Sequence, residues 1–76
     1  MNKDTRKELA KLRDTISEAH SHLEEVRDSE QEKFDNMPES FQQGEKGQRA
    51  EEIVASLEEA IDALDTATSA IESASE

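Results

Sequence analysis

His20 and His22 flank Ser21, and Glu24 and Glu25 follow one helical turn later. Imidazole and carboxylate at that spacing share a helix face, and both groups bind divalent metals or carry protons. The set is incomplete for either task. The Glu-x-x-His spacing of carboxylate-bridged di-iron bundles is absent. The chain has no Cys, so thiolate ligands, thiol nucleophiles and disulfides are excluded. Ser17 and Ser21 lie near His20, but an activated hydroxyl needs a strained, pocketed position. The segment GEKG at 44–47 lacks the length and the Ser or Thr of a phosphate-binding loop. The two histidines are therefore read as bundle-edge residues, with metal binding and pH-sensitive packing as the alternatives. No enzyme activity, metal or cofactor is expected.

Carboxylates form the more distinctive pattern. Glu51, Glu58, Asp65 and Glu72 recur every seven residues, with Glu52, Glu59 and Asp62 beside them. On a helix this makes a two-lane acidic track, with a repeat of about 10.5 Å along one lane and gaps of about 5–6 Å between neighbours. Such a track crudely copies the charge spacing of a nucleic-acid backbone. It could compete for the Arg and Lys of a nucleic-acid-binding protein. The plainer alternative is a solvated helix exterior that confers solubility.

The whole chain has the same bias. Twenty acidic residues against nine basic ones give a net charge of −11. Nucleic acid and anionic lipid repel such a chain, and a basic protein surface attracts it. The bias is uneven. Lys3, Arg6, Lys7, Lys11 and Arg13 gather near the start, and no basic residue follows Arg49. The longest aliphatic run is Ile53-Val54-Ala55, too short for a signal peptide or a membrane span. A soluble, cytoplasmic protein is expected.

The elements that carry these side chains are legible from apolar spacing. Leu9, Leu12, Ile16, Ala19, Leu23 and Val26 are separated by 3, 4, 3, 4 and 3 residues. Ala50, Ile53, Leu57, Ala60, Leu64, Ala67, Ile71 and Ala74 continue the same alternation. That rhythm is the seam of a coiled coil. It predicts one all-α domain over 1–76, with helix 1 at about 4–34, a turn at 35–45 and helix 2 at about 46–74. Two long helices joined by so short a link fold back antiparallel.

The stretch from Glu32 to Gly47, around the link, collects both Phe, the only Pro and both Gly. Pro38 stops helix 1 and biases Met37 away from helical geometry. Asn36 and Glu39 have the spacing of a capping box. Gly44 is expected to take a positive φ, and Gly47 to loosen the start of helix 2. Phe34, Met37, Pro38 and Phe41 are expected to plug the end of the hairpin, with Phe41 or Met37 as an alternative partner contact.

One pairing places Leu9, Leu12, Ile16, Ala19, Leu23 and Val26 opposite Ala67, Leu64, Ala60, Leu57, Ile53 and Ala50. A shift of one heptad matches about as well. A lone hairpin buries little apolar surface, and ordering it is costly. Val54 and Ile61 lie on one flank of the second seam, Ala63 and Ala70 on the other. Covering them with another copy predicts a homodimeric four-helix bundle or a higher homo-oligomer.

The turn Asp35-Asn36-Met37-Pro38-Glu39-Ser40-Phe41-Gln42 follows RDSEQEKF and precedes the heptads of LEEAIDAL. Over roughly 24–65 this resembles a group of small acidic helical-hairpin proteins encoded by phages and prophages, which share a DN-apolar-PE turn. The resemblance implies a phage accessory protein in the host-cell cytoplasm, one that binds and inhibits or modulates a host protein such as a defence factor. The group supplies no catalytic residue. Two other functions stand beside this one. The chain could be a purely structural oligomerisation module. It could also sequester a small signalling nucleotide between protomers through Arg13, Arg27 and Arg49, the basic residues near the seam edges.

Overall fold

The computed structural model describes Met1–Glu76. It is all-helical: α1 spans Lys3–Asp35, α2 is the single turn Glu39–Gln42, and α3 spans Glu45–Ala74. The long helices pack antiparallel into a rod of 58 × 15 × 12 Å. The molecule is a helical hairpin with a one-turn helix at its closed end. No helix is long and apolar enough to cross a membrane.

Local chemistry sets the ends. The Asn2 side chain accepts the Thr5 amide at 2.8 Å, capping α1. Asp4 in the first turn and Lys33 in the last suit the helix dipole. At the other end the Asn36 amide donates to the Glu32 carbonyl and the Met37 amide to the Phe34 carbonyl. Asn36 therefore closes α1 and does not build a capping box with Glu39. Pro38, at φ −56°, is the residue before α2, which has no side-chain cap. The Gln42 amide group donates to the Phe34 carbonyl at 2.9 Å, tying α2 onto the end of α1.

Neither glycine has the expected role. Gly44 has φ −96° and precedes α3 as its N-cap, so no left-handed residue is needed in the link. Gly47 is buried, and a Cβ there would overlap the Gln42 carbonyl and lie 2.6 Å from Gln42 Cα. It allows α2 to rest directly on α3. The apolar plug is also smaller than expected. Phe34 and Met37 are half-buried on opposite sides of the hairpin end, lining two different grooves. Phe41 is 51% exposed, with the Lys46 ammonium 5.4 Å from its ring centroid.

The larger correction concerns which faces meet. Val54 and Ile61 do not lie on an open flank; with Ala50 they are the buried apolar core, at 8% and 6% exposure. The seam of α3 runs through Ala50, Val54, Leu57, Ile61, Leu64, Thr68 and Ile71. The expected seam residues Ile53, Ala60 and Ala67 stay half-buried at its edge, while its centre moves to Val54, Ile61 and Thr68, which hold more buried volume. The Thr68 hydroxyl donates to the Leu64 carbonyl at 3.0 Å, so it costs little there. On α1, Leu9, Ile16, Leu23 and Phe34 face inward, while Leu12 and Val26 are 53% and 41% exposed. Along the other edge of α1 lie Arg13, His20 and Arg27, of which His20 and Arg27 are half-buried and Arg13 is exposed.

Gly47→Ala should cost about 1–3 kcal/mol, because Gln42 backbone must move. Gly44→Ser, at a cap whose nearest added contact is 3.4 Å, should change stability by less than about 0.5 kcal/mol. Thermal denaturation by circular dichroism compares the two. Equal losses would show that α2 does not press on α3 at Gly47.

Candidate functional site

The acidic row of α3 does not stand alone. Arg13 Nη1 lies 3.9 Å from Glu72 Oε1, and His20 Nε2 lies 2.8 Å from Asp65 Oδ1. Both pairs of residue numbers sum to 85, which fixes the register of the antiparallel helices. It differs from the leucine-matched pairing, in which Ile16 faced Ala60. The next rungs are Arg27 beside Glu58 and Phe34 beside Glu51. Arg27 turns to Asp28 instead, with Nε 3.0 Å from Oδ1.

His20 is a rung between two carboxylates. Nδ1 is hydrogen-bonded to Glu24 Oε1 at 3.1 Å. Nε2 is closer to Asp65 but misaligned, so that contact is charge proximity and not a hydrogen bond. His22 lies apart, in an open polar hollow with Ser17, Glu18, Ser21 and Glu25. The histidines do not combine, and no group of three or more His, Asp or Glu side chains is arranged to hold a metal ion.

These pairs divide the acidic track. Glu72 lies beside the Arg13 guanidinium and Asp65 beside the His20 ring. Glu52 meets Arg49 at 3.3 Å. Glu51, Glu58, Glu59 and Asp62 have no basic partner within ion-pair distance and are all exposed. The unpaired part of the track is therefore the first half of α3.

A groove of about 380 Å³ opens there, which the carboxylate pattern alone did not indicate. Phe34, Val54 and Ala55 form its floor, and Gln31, Glu51 and Glu58 form its lips. An aromatic floor with two carboxylates above it matches an Arg or Lys side chain, whose stem is apolar and whose head is cationic. The signal in the sequence is Phe34 at the level of Glu51, readable only once the register is known. Arg13, Arg27 and Arg49, the candidates for an anionic ligand, each lie against a carboxylate, which weakens the case for a nucleotide.

Comparison with known protein families, curated proteins and solved structures finds no match to this chain.

His20 occupies an edge lane where an aliphatic residue would bury more apolar area. His20→Leu should therefore raise stability by about 1 kcal/mol in urea denaturation, because an ion pair at a half-exposed edge contributes little. A loss of stability would show that the two carboxylates bind the ring more strongly than this geometry allows.

Proposed function

We propose that the chain is a small phage-type accessory protein that binds a host protein and inhibits or modulates it. The partner presents a basic surface, such as that of a defence or nucleic-acid-binding factor. The observation that carries this proposal is the groove floored by Phe34, Val54 and Ala55, lipped by Glu51 and Glu58, inside the unpaired stretch of the acidic track. The net charge of −11 brings a basic partner to the surface quickly, and the groove gives one of its cations a place to lodge. The phage setting rests on the resemblance of the turn. The active form is a homodimer or higher homo-oligomer in the host-cell cytoplasm. A purely structural role as an oligomerisation module is the second reading, favoured by the exposed Leu12 and Val26.

The experiment is capture from bacterial lysate on the immobilised chain. A defined basic protein should be retained at about 50 mM salt and lost by about 500 mM, where screening is short-ranged. The combined variant Glu51→Lys, Glu58→Lys, Glu59→Lys should weaken that capture at least about tenfold while remaining helical. No capture at low salt, or capture indifferent to charge reversal, would leave the acidic face as a solubilising exterior.

A further inference from the structure

The hairpin has a second long face, opposite the groove. Leu12, Ala19 and Val26 on α1 run beside Ile53, Ala60 and Ala67 on α3. Both rows reach the same side of the molecule, because Lys33, seven residues beyond Val26, lines one groove together with Ile53. That groove holds about 360 Å³ and includes Met37, with Glu30, Glu45, Lys46 and Arg49 at its edge; Lys33 pairs with Glu30 at 3.1 Å and Arg49 with Glu52 at 3.3 Å. The rows just outside are equally free of acids. They read Thr15, His22 and Ser29 on α1, and Ser56, Ala63 and Ala70 on α3. In a chain with 20 acidic residues these four rows carry none between Leu12 and Ser29 or between Ile53 and Ala74.

We infer that this face, with its acid-poor centre, is where a second copy of the chain docks, antiparallel, to form a four-helix bundle. The inference rests on the self-association proposed above and assigns its surface and direction. Four observations select a second copy as the occupant. A lone hairpin leaves four residues buried and no side chain fully buried, so its core is thin. The face is about 30 Å long and two helices wide, on the order of 600 Å² per copy, which reaches the lower range of specific interfaces. A copy with charge −11 approaches another most easily where carboxylates are sparse or paired, and this face is such a place. A basic host protein is drawn by the field to the opposite side.

Apolar content sets the direction. The groove beside Ile53 and Met37 lies at the closed end of the face, and the exposed Leu12 lies toward the open end. A two-fold axis near Ala63, midway along the face, brings each closed end over the open end of the other copy. Exposed Leu12 then meets the Ile53 level and the apolar groove beside it. Ala19, Ala60 and Ala63 at the centre let the helices approach closely. The bundle so formed carries an acidic groove on each of two opposite sides.

Sedimentation equilibrium on the full chain tests this. The wild type should sediment at twice its 8.5 kDa mass. Ala63→Glu, an exposed position in the hairpin, should keep its helical circular dichroism and weaken the dimer at least about tenfold, because it buries two unpaired charges near the axis. Ala55→Glu, on the other side, should leave the dimer intact. Under mild oxidation Ala63→Cys should link two chains, and Ala55→Cys should not. A wild type monomeric at about 100 µM overturns both this inference and the self-association it rests on. A dimer that Ala63→Glu does not weaken, or that crosslinks through Ala55→Cys, overturns the face alone.

Discussion

Everything in this molecule follows from how α1 and α3 are rotated about their own axes. Each helix offers two lanes beside a shared central one, and the hairpin can close on only one combination. It closes on Val54 and Ile61, the bulkier choice, which burial favours. The ion pairs follow from that choice and do not impose it. Arg13–Glu72 is long and solvent-exposed, and such pairs are worth less than about 1 kcal/mol. They refine the register after packing has set the rotation.

That rotation sorts the surface into two chemistries. The lane beside Arg13, His20 and Arg27 brings the acidic row of α3 to one side, where part of it is paired and part is free. The half-buried lane at the core's edge, Ile53, Ala60 and Ala67, goes to the other side and meets Leu12, Ala19 and Val26. Opposite faces of a two-helix rod thereby differ in charge and in apolar content. The proposed binding of a basic partner and the proposed docking of a second copy thereby fall on different faces of the rod.

The sequence makes the hairpin plain and leaves the rotation hidden, for a definite reason. Pro38 and the cluster of turn residues mark the reversal, and the 3/4 spacing marks both helices. Leu9, Ile16 and Leu23, with Leu57, Leu64 and Ile71, belong to the seam under either rotation. The remaining lane was assigned by hydrophobicity, which chose Leu12 and Val26 over Arg13, His20 and Arg27. Long amphipathic side chains can fill an edge lane that a binary pattern gives to aliphatics. Gly44 and Gly47 were likewise legible as special positions, but their roles depend on α2 lying across α3, a contact no local pattern encodes. The Phe34 groove needed the register before Glu51 and Glu58 could be placed above it.

Methyl–methyl nuclear Overhauser contacts measure the rotation directly. The register places Leu23 at the level of Ile61, both facing inward, and places Leu12 outside the seam and far along the rod from Leu64. A strong Leu23–Ile61 contact with no Leu12–Leu64 contact is the expected result. A Leu12–Leu64 contact with Ile61 facing solvent would contradict the rotation and, with it, the division of the surface into an acidic face and an acid-poor one.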